Sequence, residues 1–332
     1  MMVCAAARLA AAAIAAAAVA ATAAAAAPDV IPLPRGFRPE GIVALTPPYF
    51  AVGSLAGNGQ LYVFNGVSGT GAEVFNTPNQ TVVGLTYDRR ARVLWAAGGP
   101  SGNVLAWGDQ GATLLSTVPL PKGDAKSAFA NDAVVVPTAG VVAVTDSQAP
   151  ALYLIPTAAA CGGAATSSAV RVPLTGDFKQ GPGFNANGIE WSRAARTLVL
   201  IQSNTGKLFR VAFDGRTAEI PVAGGPLTSG DGILFDASDR SVLYVVRNRL
   251  RKVAVVKFRN ARRLRGARVT RNITIGGADT PTTVAQGAGG LYLPDARFGT
   301  PDPAGASYAV YRVDAATRGG GAAPQCGGGR RA

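Results

Sequence analysis

The stretch ANGIEWSRAARTLVLIQSNTGKLFRVAF, residues 186–213, decides the fold. It contains three short apolar runs, separated by segments rich in Ser, Asn, Gly and Arg. Runs of this length that are rich in Val, Leu and Phe and bounded by turn-forming residues are typical of strands joined in hairpins. The stretch therefore predicts three consecutive antiparallel strands of one small sheet.

The same unit of three runs occurs six times along the chain. We place the starts of the six first strands at Glu40, Val83, Asp132, Asn187, Asp231 and Thr282. Repeats of roughly 40 to 50 residues that each form a small sheet are characteristic of β-propellers. We therefore predict an all-β, six-bladed β-propeller over residues 28–315, whereas a β-sandwich would not need six copies of one pattern. The early segment DVIPLP is expected to close the last blade, since a ring must hide its free sheet edge.

The two ends of the chain differ in composition from the repeats. Residues 1–27 are mostly Ala with one charged residue, Arg8, which is typical of a secretory signal; a transit peptide or an uncleaved anchor are the alternatives. Residues 316–332 are Gly-rich and predict a disordered tail. We expect an extracellular monomer, with an organelle lumen as the alternative location, in which Cys161 and Cys326 either pair or remain free thiols.

The composition limits the kinds of catalysis that the chain can carry out. The chain has no histidine, which excludes Ser-His-Asp and Cys-His catalysis, histidine bases and HExxH zinc sites. Catalysis would have to use carboxylates, amides, hydroxyls, Arg, Lys or a hard cation. With 32 Lys plus Arg against 19 Asp plus Glu, the formal charge is +13, which makes nucleic acid, acidic polysaccharide and anionic membranes candidate partners.

The repeated position at the start of each first strand carries several oxygen ligands. In a propeller the first strand of each blade lines the central channel, so equivalent residues meet around its axis. Glu40, Asp132 and Asp231 supply carboxylates there, and Asn187 supplies an amide. Crowded carboxylates favour a counter-cation, and an all-oxygen set suits calcium, with magnesium or manganese as alternatives. The competing explanation is that Asp and Asn favour strand entry, which accounts for a Glu less well.

Three motifs in chain order resemble those of a known superfamily. PEG at Glu40, NG at Asn187 and DG at Asp231 are similar to the motifs of six-bladed propellers of the senescence-marker-protein/gluconolactonase/luciferin-regenerating-enzyme superfamily. The resemblance covers Phe37 to Val313. It implies that Glu40, Asn187 and Asp231 bind one divalent cation, and that Asn131 of the Asn-Asp pair lies beside the bound water or substrate.

The resemblance also implies an activity, the opening of lactone rings. The cation polarises the ring carbonyl and lowers the pKa of bound water, while an adjacent carboxylate takes the proton. Asp231 is the expected base and Asp132 the second candidate. Where sugar-lactone enzymes often carry an arginine, this chain has Phe129, which favours an apolar or a differently oriented ester or lactone over a polyhydroxylated substrate. Polar residues at the ends of second strands are further candidates for lining the mouth and binding substrate: Asp146, Ser203, Arg247, Asn248 and Arg297.

A basic segment and two rival functions remain open. Residues 247–271 contain eleven Lys or Arg and no acid, which fits either a solvated outer strand or a docking patch for an anionic polymer or membrane. Nucleic acid is disfavoured there because Phe258 is the only aromatic residue that could stack on bases. The rivals to a hydrolase are a non-catalytic extracellular propeller that binds an anionic partner and a strictosidine-synthase-like condensing enzyme.

Overall fold

The protein is built from β-strands arranged as six blades around a channel. The structure is a computed structural model that describes residues 27–108, 113–123, 128–160, 169–287 and 289–315. Its strands form six sheets of four or five strands, which confirms the predicted six-bladed propeller. Apart from Ala27, the predicted signal 1–27 lies outside the described residues, as do the predicted tail 316–332 and both Cys161 and Cys326.

The blades follow one another along the chain, and their strands run from the channel outwards. Strand β1 (Val30–Leu33) comes before blade 1, which contains β2 (Pro39–Ala44), β3 (Tyr49–Ser54), β4 (Leu61–Asn65) and β5 (Gly71–Phe75). Blade 2 contains β6 (Leu85–Asp88), β7 (Val93–Ala97), β8 (Asn103–Gly108) and β9 (Thr113–Pro119), and blade 3 contains β10 (Ala130–Val136), β11 (Val141–Asp146), β12 (Ala151–Pro156) and β13 (Val170–Pro173).

The later blades have the same order. Blade 4 contains β15 (Ala186–Ser192), β16 (Thr197–Gln202), β17 (Lys207–Val211) and β18 (Arg216–Ile220), with the short β14 (Thr175–Gly176) at its edge. Blade 5 contains β20 (Gly230–Phe235), β21 (Val242–Arg247), β22 (Lys252–Phe258) and β23 (Ala267–Thr274), with β19 (Val222–Ala223) at its edge. Blade 6 contains β24 (Ala285–Gly287), β25 (Gly290–Pro294) and β26 (Tyr308–Val313). Short 3₁₀ helices span Thr157–Ala160 and Asn248–Leu250, and no helix in the described ranges is long and apolar enough to cross a bilayer.

Each interface between neighbouring blades holds its own apolar cluster. In β16, successive residues are apolar because both faces of the strand are buried. Leu198 and Leu200 pack between blades 3 and 4, whereas Val199 and Ile201 pack between blades 4 and 5. Successive side chains of a strand point to opposite faces, and both faces of this blade are covered. The ring of blades therefore positions every inner strand relative to its two neighbours.

The N-terminal strand closes the ring. Strand β1 pairs antiparallel with β26, from Val30 opposite Tyr311 to Leu33 opposite Tyr308. Ile31 is fully buried in the cluster between blades 6 and 1, while Val30 on the other face is 49% exposed. The predicted closure of the last blade by DVIPLP is confirmed.

Candidate functional site

The inner strands of four blades share one irregularity where they enter the channel. The regular pairing with the second strand is interrupted by two residues in blades 1, 3, 4 and 5. The interrupted pairs are Glu40-Gly41, Asn131-Asp132, Asn187-Gly188 and Asp231-Gly232. The residues after them, Ile42, Ala133, Ile189 and Ile233, are again in register. Glu40, Asn131, Asn187 and Asp231 are thus structurally equivalent.

This register corrects one predicted member of the ring. The sequence repeat predicts that Asp132 is equivalent to Glu40. In the structure the equivalent residue of blade 3 is Asn131, and Asp132 is the residue after it. The alignment matched acidic residues to each other, whereas the register follows the apolar residue after the pair. Because side chains alternate along a strand, a shift of one residue turns the side chain to the other face. The ring therefore contains two carboxylates and two amides, completed by Val83 and Thr282.

Neighbouring inner strands lie close together at the second residue of each pair, a level of the channel here called the waist. A Cβ atom on Gly41 would lie 2.0 Å from the carbonyl oxygen of Val83, and one on Gly188 would lie 2.3 Å from that of Asp231. Only glycine permits such close approach of neighbouring inner strands. Blade 3 has Asp132 at this position instead, and its carboxylate accepts hydrogen bonds from the backbone N–H of Ile189 at 3.0 Å and of Ala133 at 2.8 Å. Asp132 therefore ties blade 3 to blade 4.

The two ring asparagines are held in the same way. Asn131 donates from Nδ2 to Ser147 Oγ at 2.8 Å, and Ser147 donates to the carbonyl of Ala186 in the next blade. Asn187 donates to Ser203 Oγ at 2.9 Å, and Ser203 donates to the carbonyl of Gly230. Since each serine uses its proton on a carbonyl, it must accept from the amide nitrogen. This fixes which end of each amide is nitrogen and turns the amide oxygen away from the serine.

In blade 5, the residue equivalent to these serines is Asn248, and it forms a hydrogen bond with the ring aspartate, Asp231. Asn248 follows β21 as Ser147 follows β11 and Ser203 follows β16, and its Nδ2 lies 2.8 Å from Asp231 Oδ2. Ser203 and Asn248 were expected at the mouth, and the structure shows their contacts to the ring. Ser147 was missed, although a comparison of the residues that follow the second strands would have identified it.

The ring carboxylates are buried, and burial and neighbouring carboxylates raise their pKa values. Glu40 and Asp231 are 8% and 5% exposed. Burial, followed by the charges of Asp231 and Asp132, raises the pKa of Glu40 well above its ordinary value. Burial also raises the pKa of Asp231 to about 7, against hydrogen bonds from Asn248 and Asn187 that lower it. The pKa of Asp132 is likewise raised to about 7 by burial. Such a cluster favours a positive charge at its centre.

The donor set fits a hard divalent cation. Carboxylate and amide oxygens without nitrogen or sulfur ligands are those that calcium, magnesium and manganese take. Across the described ranges, no group of three or more His, Cys, Asp or Glu side chains is arranged to share an ion. A cation here would therefore use the amide oxygens of Asn131 and Asn187 beside Glu40 and Asp231. The sequence prediction named Glu40, Asn187 and Asp231 as ligands, and the register adds Asn131 to their ring.

Other predicted mouth residues have internal partners. Asp146 is fully buried, where Oδ1 accepts from the backbone N–H of Phe129, Gln148 and Ala149 and Oδ2 accepts from the Tyr153 hydroxyl, so it fixes a turn and does not line the mouth. Arg247 donates to the carbonyl and hydroxyl of Thr228 at 3.1 and 2.9 Å. Arg297 donates to the carbonyl of Ser307 at 2.7 Å. Both arginines hold loops of their own blades.

Phe129 forms an aromatic contact beside the ring. Its ring packs edge-to-face against Phe184, with centroids 5.0 Å apart, and Phe184 is 46% exposed. Phe129 lies two residues before Asn131, and Phe184 lies three before Asn187. The segments that lead into these two ring positions therefore present an apolar surface.

Comparisons with known proteins identify the fold but no family. No protein-family model matches the sequence, and no curated protein matches it. Among solved structures, the major allergen Mala s 1 of Malassezia sympodialis has a TM-score of 0.63 at 18% identity, over 87% of this chain and 97% of the allergen. Virginiamycin B lyase from Staphylococcus aureus has a TM-score of 0.55 at 13% identity, over 80% of this chain and 81% of the lyase. The Cps50 (Swd1) β-propeller domain of Myceliophteria thermophila has a TM-score of 0.57 at 11% identity, over 86% of this chain and 99% of the domain.

Proposed function

We propose that this protein is a divalent-cation-dependent hydrolase that opens a lactone or a related ester at the ring end of its channel. The motifs around Glu40, Asn187 and Asp231 support membership of the senescence-marker-protein/gluconolactonase/luciferin-regenerating-enzyme superfamily. The observation that carries the proposal is the ring itself. Two buried carboxylates share it with two asparagines whose amide nitrogens are engaged by serines. This oxygen-rich arrangement suits calcium first, and magnesium or manganese as alternatives.

The side chains of the ring have different roles in such a reaction. A cation bound there would polarise the carbonyl of the substrate and lower the pKa of water. Asp231 is the proposed base, because it is a buried carboxylate of the ring and could accept a proton from water held beside the cation. Asn248 holds Oδ2 of Asp231 and so orients the carboxylate. Both oxygens of Asp132 accept backbone hydrogen bonds, which favours Asp231 over Asp132 for this role.

The aromatic pair supports an apolar substrate. Sugar lactones need donors for their hydroxyl groups, and Phe129 stands where an arginine would serve that purpose. Phe129 and the half-exposed Phe184 offer instead a surface for an alkyl or aryl group. We therefore propose an apolar lactone or ester over a polyhydroxylated one.

A lyase reaction of the kind named for one structural neighbour has less support. A variant of virginiamycin B lyase in which a histidine is replaced by alanine is described as catalytically inactive. This chain contains no histidine. The proposed hydrolase needs none, since carboxylates and a cation supply the proton transfer and the polarisation.

The basic segment 247–271 supports a second candidate function, which is binding of an anionic partner. It runs from the end of β21 through the 3₁₀ helix Asn248–Leu250 and β22 into the first residues of β23, in the outer part of blade 5. Lys257 pairs with Asp239 at 2.6 Å, while Arg262 and Arg263 in the turn are exposed. An anionic polymer that binds this edge is the proposed partner if catalysis is absent.

Calorimetric titration tests the site. Calcium, magnesium and manganese are titrated in turn into the chelator-treated full chain, its double variant Glu40→Gln with Asp231→Asn, and the control Asp214→Asn. Asp214 is an exposed acid paired with Arg216 on the outer part of blade 4. We expect one-to-one binding that the double variant loses and the control keeps. Binding that the double variant retains would refute the ring as the cation site.

Turnover tests the reaction. Lactones and aryl esters of increasing alkyl length are assayed with the loaded protein, with gluconolactone as the polyhydroxylated comparison. We expect apolar substrates to react faster, and Asp231→Asn to lower turnover at least roughly 100-fold, as loss of a general base does. If the cation binds and no lactone or ester reacts, the non-catalytic binding function replaces the hydrolase.

A further inference from the structure

A cavity opens at the end of the channel opposite the ring. Its volume is about 390 Å³, which falls within the size range of small-molecule sites, roughly 300–1,000 Å³. It is lined by the later residues of the inner strands, such as Ile42–Ala44 of blade 1 and Ile233–Phe235 of blade 5, and by turns that follow them. Glu40, Asn187 and Asp231 do not line it. Gly41, Gly188 and Gly232 do not line the cavity, here called the lower chamber, whereas Asp132 of blade 3 does.

Three arginines from three different blades line the lower chamber. They are Arg89 of blade 2, Arg193 of blade 4 and Arg240 of blade 5, each in the connection between the first and second strands. Arg89 donates to the carbonyl of Ala44 at 3.3 Å, and its guanidinium lies 5.9 Å from the centre of the Tyr87 ring. In the part of the chain that the structure describes, none of the three forms an ion pair. These charges are available to a ligand, although the charge of Arg193 also acts on Glu190, where it opposes the rise in pKa that burial causes.

Three acids line the lower chamber beside the arginines: Asp132, Glu190 and Asp236. Both oxygens of Asp132 accept backbone hydrogen bonds. Burial first, and then the charge of Asp132, raises the pKa of Glu190 to about 8, so Glu190 is mostly protonated at neutral pH. Asp236 is ionised, because hydrogen bonds from Ser238 and Tyr244 outweigh the effect of burial and hold its pKa well below the usual range. Both of its oxygens accept internal hydrogen bonds, and Gln286 adds a further one. A protonated Glu190 can donate a hydrogen bond to a ligand.

We propose that the lower chamber binds a compact organic anion with two or more negative charges, of the polycarboxylate or sugar-phosphate class. Guanidinium groups bind carboxylate and phosphate oxygens in pairs of hydrogen bonds, which makes arginine suited to both head groups. Arginines on separate blades suit a ligand with charges at more than one point. A cavity of this limited volume suits a small molecule better than a polymer.

Tryptophan fluorescence provides the measurement. Trp191 lines the lower chamber, whereas Trp95 and Trp107, the other two of the three tryptophans, are buried in the cores around blade 2. The full chain is titrated with citrate and with glucose 6-phosphate at constant ionic strength, and with glucose as the uncharged comparison. We expect a saturable change with at least one of the two anions and none with glucose. The anion that binds more tightly identifies the preferred head group.

Matched variants test whether the anion binds in the lower chamber. The double variant Arg193→Gln with Arg240→Gln should weaken binding at least roughly tenfold, since it removes two charge-assisted contacts. Arg265→Gln, an exposed arginine that does not line the chamber, should leave the affinity unchanged. Asp231→Asn should also leave it unchanged, which separates this proposal from the proposed function at the ring.

Three results would overturn the proposal. They are the absence of saturable anion binding, equal affinity in the double variant, and an equal loss in Arg265→Gln, which would indicate unspecific charge attraction. Circular dichroism checks that the double variant is folded. If it is not, the single variant Arg240→Gln is measured, with an expected loss of roughly threefold or more, and unchanged affinity in that variant would equally overturn the proposal.

Discussion

Asn187 of blade 4 donates a hydrogen bond of 2.9 Å to Ser203, and Ser203 donates in turn to the carbonyl of Gly230 in blade 5. A side chain of the ring is thus fixed by the backbone of the neighbouring blade. Asn131 and Ser147 make the same arrangement one blade earlier. The orientation of the candidate ligands therefore depends on how the blades pack against each other.

Ser203→Ala tests whether this orientation matters. The substitution removes the serine partner of the Asn187 amide nitrogen and leaves only its hydrogen bond to Asp231, so the amide is held less firmly. We expect the affinity for the divalent cation to fall at least roughly tenfold, as is typical when a group that orients a metal ligand is lost. The free energy of unfolding should fall by only about 1 kcal/mol. Calorimetry and urea denaturation measure the two effects.

Ser68→Ala is the matched control for that experiment. Ser68 is exposed in an outer turn of blade 1, where it shares a hydrogen bond with Thr70. Its replacement should change neither quantity beyond about 0.5 kcal/mol. Unchanged cation affinity in Ser203→Ala would mean that the amide of Asn187 is not a ligand.

The sequence predicts the propeller well because the blades bury both faces of their inner strands. Runs such as Leu198–Ile201 are apolar at every position, and six of them at regular spacing leave few alternatives. The turn residues between runs then indicate the hairpins. Long-range pairing, such as that of β1 with β26, followed from the need to close the ring.

The residues of the site could be predicted less completely from the sequence, because the strand register decides which side chains face the channel. Asp132 looked equivalent to Glu40 by residue type, yet a shift of one residue in blade 3 puts Asn131 in the ring. Asp146 looked like a mouth residue, yet its carboxylate is used within a buried turn. Residue type alone does not tell which side chain faces the channel, and hydrogen-bond partners decide which polar group remains free.

Gly188→Ala tests the waist. Its new Cβ would lie 2.3 Å from the carbonyl oxygen of Asp231, so the two inner strands must separate. We expect a loss of about 1–3 kcal/mol in the free energy of unfolding, as overpacking of a close contact causes. Cation affinity should fall as well, because Asn187 and Asp231 move apart.

Gly276→Ala supplies the comparison, because a Cβ at Gly276 would meet no atom within 4 Å. It should leave both stability and cation affinity nearly unchanged. Urea denaturation and calorimetry of the two variants side by side measure the difference. Equal stability of the two variants would show that the inner strands can move apart without cost.

Ile31→Ala and Val30→Ala test the closure of the ring. Ile31 is fully buried between blades 6 and 1, whereas its neighbour Val30 is 49% exposed. Truncation of a buried Ile costs about 2–5 kcal/mol, and truncation of an exposed Val costs little. We expect urea denaturation to show this difference between two adjacent positions. Equal and small losses would mean that β1 does not contribute to the stability of the ring.

Glu190→Gln tests the buried acid of the lower chamber through pH. The pKa of Glu190 is about 8 in the folded chain and has an ordinary value of 4.5. Between these values the folded state binds more protons than the unfolded state, so the free energy of unfolding falls as pH rises from about 4.5 to 8. Glutamine stays neutral at every pH and lacks this dependence.

We therefore expect Glu190→Gln to be more stable than the parent at pH 9, by about 1–3 kcal/mol, and similar to it at pH 4. Urea denaturation at both pH values measures the change, with Glu73→Gln, an exposed acid of blade 1, as the control. The same loss at high pH in the parent and in Glu190→Gln would assign the dependence to other groups. Because Glu190 faces the arginines of the lower chamber, a bound anion should further favour its protonated form and extend the stable range of the parent towards higher pH.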